Sequence, residues 1–84
     1  MDKKAIKVGI DLDQYTADNE YLRIICHLLD PTHEIHLITN RVEKKRSEMM
    51  EALEKHSIKF SQLVLTENKA AYLLKQGIRI EVGE

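Results

Sequence analysis

The chain's fold is decided by residues 8–18, VGIDLDQYTAD. The apolar, partly β-branched run from Ala5 to Ile10, with lysines before it and acids after it, predicts a short buried strand. This strand ends in Asp11 and Asp13, two carboxylates that stand two positions apart. Residues i and i+2 of an extended segment share a face, so we expect both side chains to point into one crevice. Two carboxylates there repel each other unless a cation or a proton lies between them.

Three helices are predicted between the strands, from apolar residues at helical spacing. The first begins near Thr16 or Asp18 as its cap and ends at Asp30, which precedes a proline. The second is a charged helix that ends near His56, and the third covers residues 67–76 and stops at Gly77. The side chains predicted to face inward are Ala17, Tyr21, Ile24, Ile25, Leu28 and Leu29 in the first helix, Val42, Met49, Met50 and Leu53 in the second, and Ala70, Leu73 and Leu74 in the third.

Three further segments are predicted to be strands. Residues 34–39, EIHLIT, and residues 60–65, FSQLVL, are typical of buried strands, and residues 78–82 alternate apolar with charged side chains. The element order is therefore βαβαβαβ, which favours a parallel sheet joined by right-handed crossovers. We expect an α/β fold, a Rossmann-like three-layer α/β/α sandwich in which residues 1–84 form a single domain.

Composition limits the class of protein. With 84 residues, 43% hydrophobic and 32% charged, the chain is typical of one small globular domain. Because a domain of this size has modest stability and association would increase it, a homodimer is an alternative to a monomer. The net charge of −1, from 13 basic and 14 acidic residues, gives no overall attraction to nucleic acid or to a membrane. The single cysteine excludes an intrachain disulfide, and neither a signal peptide nor a membrane span is present in the sequence. The sequence therefore predicts a cytoplasmic protein.

Polar residues follow the other predicted strands as well. In parallel sheets ligands lie outside the carboxyl ends of the strands, where helix N-termini also point their free N–H groups. The second strand ends in residues 39–41, Thr-Asn-Arg, the third in residues 66–67, Thr-Glu, and the fourth in Glu84. Mg²⁺ is the natural cation for Asp11 and Asp13, because it is a hard ion that takes oxygen ligands.

Four separated segments resemble the motifs of the haloacid dehalogenase-like (HAD) superfamily of phosphohydrolases, over nearly all of the chain. The segment VGIDLDQYTAD is similar to the first motif, a strand that ends in Asp-x-Asp, and its Ala-Asp pair at 17–18 resembles nucleotidase-like members. Residues 36–41, HLITNR, resemble the second motif. Lys69, within ENKAAYLL, matches the third, and residues 80–84, IEVGE, match the fourth in part.

The resemblance implies a fold, a cofactor and a set of roles. The fold would be HAD-like without a cap domain, and the activity Mg²⁺-dependent hydrolysis of a phosphorylated small molecule, a phosphomonoester or a nucleotide. Asp11 would be the nucleophile that forms an aspartyl-phosphate, and Asp13 the acid and base. The phosphoryl group would be bound by Thr39, Asn40 and Lys69. The metal would be held by Asp11, the backbone carbonyl of Asp13, and Glu84.

Other interpretations of the same residues stay open. Taken singly, Thr39 is as typical of a helix cap, and Lys69 of a solvated helix surface. Gln14 and Tyr15 depart from the family's usual pattern, and the fourth motif is incomplete, so the alternative is a catalytically degenerate or truncated HAD-like module that serves binding or assembly. A receiver domain of two-component signalling is a weaker third interpretation, because it requires adjacent acids after the first strand and an aspartate after the third.

Overall fold

The computed structural model describes residues 6–82, which form a four-stranded parallel sheet with three α-helices. The strands are β1 (Ile6–Asp11), β2 (His33–Thr39), β3 (Gln62–Leu65) and β4 (Ile80–Val82), and the helices are α1 (Glu20–Leu29), α2 (Arg46–Lys55) and α3 (Lys69–Gln76). Short 3-10 turns lie at Leu12–Gln14 and Glu43–Lys45. Within residues 6–82, no helix has the length and apolar character needed to cross a membrane.

The sheet order is β3-β2-β1-β4, and every pairing is parallel. The predicted alternation of strands and helices in an α/β fold is confirmed, and the arrangement is compatible with a Rossmann-like sheet. Two strands are shorter than predicted. Strand β3 begins at Gln62, and Phe60 packs beside the core before pairing starts; β4 begins at Ile80, and Ile78 is buried ahead of it. Ala5, at the start of the predicted first strand, and Glu84, at the end of the last, lie outside the described residues.

The two faces of the sheet carry different helices. Val8 and Ile10 of β1 point into the main core, where Leu22 and Cys26 of α1 and Met49 and Leu53 of α2 pack against the strands. The opposite face is covered by α3. A Cβ atom built on Gly9 would lie 2.8 Å from the Leu73 side chain, so the absence of a side chain at position 9 lets α3 approach β1 closely.

The helix boundaries correct the predicted starts of α1 and α3 and confirm the predicted helix ends. Helix α3 begins at Lys69 and not at residue 67, because Asn68 is its cap, and α2 ends at Lys55, next to the predicted His56. Helix α1 begins at Glu20 because Asn19 is its cap, and the Asn19 side chain accepts a hydrogen bond from the Leu22 N–H at 3.1 Å. The prediction of Thr16 or Asp18 as the cap is therefore wrong: the 3-10 turn after β1 uses part of the connection, and the helix starts later. The predicted end of α1 at Asp30 and the stop of α3 at Gly77, which has φ of 70°, are confirmed.

The predicted inner faces of the helices are only partly correct. In α1 the buried residues are Leu22 and Cys26, and Ile25 and Leu29 pack partly against the core. Several side chains predicted to face inward are exposed: Tyr21, Ile24 and Leu28 in α1, Val42 before α2, Met50 in α2, and Ala70 and Leu74 in α3. More than half of the α1 circumference is apolar, so periodicity alone does not determine which stripe the sheet covers.

Gly9→Val is expected to lower the free energy of unfolding by about 2 kcal/mol, because the new side chain overlaps Leu73 and Ile38 under α3. Urea unfolding measures the change. In a Leu73→Ala background the same substitution should cost less, since its nearest neighbour has been removed. An equal cost in both backgrounds would contradict the close approach of α3 to β1.

Candidate functional site

Two neighbouring strands and one helix place polar groups at the same edge of the sheet. Strands β1 and β2 run side by side, with Asp11 opposite Ile38, so the residues that end both strands meet at the carboxyl edge. Asp11 and Asp13 come from β1 and the turn after it, and Thr39 and Asn40 from the end of β2. Helix α3 begins at this edge, with Lys69 as its first residue.

The Lys69 ammonium group bridges both carboxylates. Its Nζ lies 2.7 Å from Asp11 Oδ1 and 2.6 Å from Asp13 Oδ2. The three side chains are 24%, 14% and 22% exposed, respectively, so solvent screens these contacts less than it would on an open surface. The repulsion expected between the two carboxylates is therefore relieved by a cation of the chain itself.

Asp13 is held by three further groups. Its Oδ1 accepts a hydrogen bond from the Thr39 hydroxyl at 2.5 Å, and its Oδ2 accepts one from the Asn40 N–H at 3.0 Å. The Asp13 N–H in turn donates to Asp11 Oδ1 at 3.0 Å, which closes the turn after β1. Each oxygen of Asp13 thus has a partner on β2 or at its end, and the carboxylate has a defined orientation.

These contacts determine the charge state of the site. Partial burial acts to raise the pKa of Asp13, but the hydrogen bonds from Lys69, Thr39 and the Asn40 N–H outweigh it and hold the pKa below its ordinary value of 3.8. Burial acts to lower the pKa of Lys69, and the bonds to Asp11 and Asp13 outweigh it, so the pKa lies above 10.5. At neutral pH Asp13 is ionised and Lys69 is protonated.

The structure brings together five of the six residues predicted to form the site. Asp11, Asp13, Thr39 and Lys69 meet through their side chains, and Asn40 contributes its backbone N–H. Glu84, predicted to be the third metal ligand, lies outside the described residues. The roles assigned to these residues stay predictions, but the structure argues against the alternative interpretations of Thr39 and Lys69.

The alternative interpretations of Thr39 and Lys69 do not fit their positions. The Thr39 side chain is fully buried, and its oxygen accepts only a long hydrogen bond, at 3.3 Å, from the Arg41 N–H. Helix α2 begins at Arg46, so Thr39 does not cap it. Lys69 is tied to two carboxylates and is no freely solvated lysine.

The donor set can be compared with what Mg²⁺ requires. Two carboxylate oxygens converge on one positive group, and hard oxygen donors are the ligands that Mg²⁺ takes while it keeps several waters. Asp11 and Asp13 therefore fit such an ion. Across the described stretch, residues 6–82, no group of three or more His, Cys, Asp or Glu side chains is arranged to hold a metal.

A groove that sequence reasoning did not find lies beside the site. It has a volume of about 270 Å³, and its walls include Leu12 and Tyr15 from the segment after β1 and Met49 and Leu53 from α2. Arg41, the second residue after Thr39, also lines it. The sequence could have indicated Arg41 through its position in the polar run 39–41 at the end of β2.

A second feature missed from the sequence holds α3 against the sheet. His36, fully buried on β2, lies 2.7 Å from the Tyr72 hydroxyl on α3 through Nδ1 and 2.7 Å from the Glu34 carboxylate through Nε2. Tyr72 is one turn of α3 beyond Lys69, so this contact helps to fix the direction in which Lys69 points. The available signal was the i, i+2 spacing of Glu34 and His36, which places both on one face of β2.

No protein-family model matches this chain, and no curated protein and no solved structure matches it either. Its site combines two carboxylates, an ammonium group, a hydroxyl and a backbone N–H within hydrogen-bond reach of one another. A carboxylate can act as nucleophile or base, and the three donors can bind the oxygens of an anionic ligand.

Thr39→Val is expected to raise the pKa of Asp13, because the isosteric valine removes the hydroxyl that donates to Oδ1. The pKa is measured by NMR titration of the Asp13 side-chain carboxyl carbon. Thr66→Val is the matched control: Thr66 follows the adjacent strand β3, and its hydroxyl oxygen accepts from the Asn68 N–H. A Thr39→Val protein whose Asp13 titrates like the native residue would refute the hydrogen bond.

Lys69→Met is expected to lower the free energy of unfolding at pH 7 by about 1 kcal/mol, since two carboxylates then face each other without a counter-charge. The depressed pKa of Asp13 contributes stability above pH 3.8 that is lost as the pH falls through its folded value. The raised pKa of Lys69 contributes stability below pH 10.5 that is lost as the pH rises through its folded value. The difference in the free energy of unfolding between the native protein and Lys69→Met should therefore be present between about pH 3.8 and pH 10.5. It should shrink as the pH falls toward the folded-state pKa of Asp13.

Urea unfolding at several pH values measures this dependence. Lys75→Met, on the exposed surface of the same helix, is the control and should show no such pH dependence. A Lys69→Met effect that is equal at pH 7 and at acid pH would argue against the ion pairs as its cause.

Proposed function

We propose that this protein is a Mg²⁺-dependent phosphohydrolase of the HAD-like type, which cleaves a phosphomonoester or nucleotide through an aspartyl-phosphate. The proposal is supported above all by one observation: the Lys69 ammonium contacts both Asp11 and Asp13, while Thr39 and the Asn40 N–H bind Asp13 from the other side. These groups come from three elements that are distant in sequence, and they are those that the resemblance to the HAD superfamily assigns to phosphoryl transfer.

The first step is nucleophilic attack by Asp11. One of its carboxylate oxygens attacks phosphorus and forms a new P–O bond, and the bond to the leaving oxygen breaks with its electron pair. Asp13 supplies a proton to that oxygen, so the alcohol leaves neutral. In the second step the Asp13 carboxylate takes a proton from water, the water oxygen attacks phosphorus, and inorganic phosphate leaves while Asp11 is regenerated.

Lys69 connects the charge of the ligand with the protonation of Asp13. Without ligand, its ammonium is one of the groups that keep Asp13 ionised. Phosphoryl oxygens compete with both carboxylates for this ammonium, and Asp13 then loses a bond that lowers its pKa. Its pKa rises, which favours the protonated form that the first step requires. Ligand binding thereby favours protonation of Asp13, the general acid of the first step.

In this proposal Mg²⁺ would be held by the Asp11 carboxylate and the backbone carbonyl of Asp13, which leaves the Asp13 carboxylate free to carry the proton. When bound, the ion would supply positive charge that offsets the charge of the phosphoryl oxygens beside the carboxylate nucleophile. Lys69 would contact the phosphoryl oxygens, and the Thr39 hydroxyl and the Asn40 N–H would donate further hydrogen bonds to them.

A second candidate is a catalytically degenerate HAD-like module that keeps the fold for binding or assembly. The observation that favours it is the saturation of the site by its own residues: both oxygens of Asp13 are occupied by Lys69, Thr39 and the Asn40 N–H. A module of this kind would retain the ion pairs for stability and turn over no substrate.

Hydrolysis of p-nitrophenyl phosphate in the presence of Mg²⁺ distinguishes the two candidates. The phosphohydrolase predicts turnover that EDTA removes and that Asp11→Asn reduces by a factor of about 10³ or more, because the nucleophile is lost. Glu67→Gln is the matched control, since Glu67 is an exposed acid that follows β3 at the same edge of the sheet. It should retain native turnover.

A second measurement tests the intermediate directly. Acid-quenched protein should carry one phosphoryl group on the peptide that contains Asp11, detected by mass spectrometry, and Asp11→Asn should abolish it. Absence of turnover above the Asp11→Asn background with Mg²⁺ present would reject the phosphohydrolase and leave the degenerate module.

A further inference from the structure

Five exposed, large apolar side chains lie on three different elements of the described chain. They are Ile6 of β1, Ile80 of β4, and Tyr21, Ile24 and Leu28 of α1, with exposed fractions of 46%, 44%, 59%, 43% and 70%. Isolated apolar residues on a surface are common, whereas a contiguous group of them marks an interaction site. Whether these five belong together depends on the face of the sheet and on the flank of the helix that carry them.

The two strand residues lie on the face that α1 covers. Val8 of β1 is part of the core beneath α1, and Ile80 is its parallel partner on β4. Paired residues of neighbouring strands point to the same face, as do residues i and i+2 of one strand. Ile80 and Ile6 therefore share the face of Val8, but no helix of the described chain covers them.

The exposed flank of α1 faces the same region. Arg23 lines a surface depression together with His56, which follows α2, so this flank of α1 is turned toward α2. At 100° per residue, Tyr21 and Leu28 lie on the opposite flank, away from α2. Because α1 connects β1 with β2 and α2 connects β2 with β3, the opposite flank of α1 is turned toward the β1 and β4 side of the sheet. The two strand residues and the three exposed apolar residues of α1 on this side of the molecule are together called the β4 flank.

Strand β4 is also an edge of the described sheet, with one pairing partner, β1. Unpaired edge strands present free backbone donors and acceptors to a second chain. The sequence around the exposed edge is Arg79-Ile80-Glu81, in which all three side chains are exposed. Within residues 6–82, neither Arg79 nor Glu81 forms an ion pair.

This tripeptide is complementary to itself in antiparallel orientation. If two copies pair about a two-fold axis at Ile80, the two Ile80 side chains face each other, and Arg79 of each copy faces Glu81 of the other. Directly opposite charges stabilise a cross-strand pair, and like charges destabilise it. The symmetry supplies both ion pairs from one sequence, as a closed C2 interface requires.

We propose that the β4 flank binds a second copy of this chain, with the two β4 strands pairing antiparallel to form a continuous eight-stranded sheet. The two-fold axis is perpendicular to the sheet, so both α1 helices lie on the same side of it and their apolar flanks face each other across the seam. Pairing of three residues alone is far smaller than the roughly 800 Å² per partner of a stable interface, and the apolar side chains of the β4 flank supply the rest.

Charge reversal tests both the surface and the register. Sedimentation velocity over a concentration series is expected to show a dimer for the native chain. Arg79→Glu places two acids opposite each other at both ends of the seam, and Glu81→Arg places two bases there, so each variant alone should dimerise about tenfold more weakly or worse. An equimolar mixture of the two variants should restore the dimer, because every facing pair is then again of opposite charge.

Controls separate this result from general effects of charge. Lys55→Glu changes the net charge as Arg79→Glu does, but it lies on the exposed surface of α2, and it should leave the dimer intact. A native chain that stays monomeric at all concentrations overturns the proposal. So does a dimer that is insensitive to both reversals, or a mixture of the variants that stays as weak as its components.

Discussion

The contact of one ammonium group with two carboxylates is the constraint on which the site depends. Asp11 and Asp13 lie within a turn of one another at the end of a buried strand, where like charges are costly unless a cation lies between them. Lys69 is that cation, and it comes from the first turn of a helix 58 residues away from Asp11 in sequence. The repulsion between the two carboxylates is therefore reduced by a residue of the chain itself, and any anionic ligand of the kind proposed would compete for the same ammonium.

The position of Lys69 depends in turn on how α3 is held. No residue of α3 is fully buried, so the helix is held by few contacts. Leu73 packs over Gly9, where a side chain would push it away, and Tyr72 meets the buried His36. Substitutions on this face of the sheet are therefore expected to act on the position of Lys69, and through it on Asp13.

The carboxyl edge and the β4 flank are two surfaces of the same sheet, and they differ in the kind of groups that they expose. At the carboxyl edge, parallel strands bring polar side chains together, and the hydrophobic core behind them keeps them oriented. At the β4 flank, the last strand leaves apolar side chains and backbone groups without a partner among the described residues. Both features follow from a small parallel sheet, which concentrates its ligand chemistry at strand ends and exposes an edge that must be covered or paired.

Sequence alone determined the order of strands and helices, because β-branched runs, helical periodicity, Asp30-Pro31 and Gly77 are local signals. It also placed Asp11, Asp13 and Thr39 at one edge, since in parallel sheets the strand ends meet there, whereas Lys69 was indicated only by the resemblance to a family motif. Only the tertiary structure decided which stripe of α1 is buried, that Asn19 caps it, and that one ammonium bridges both carboxylates. Those features depend on how helices rotate and dock on the sheet, a balance of many weak packing contacts that no local pattern encodes.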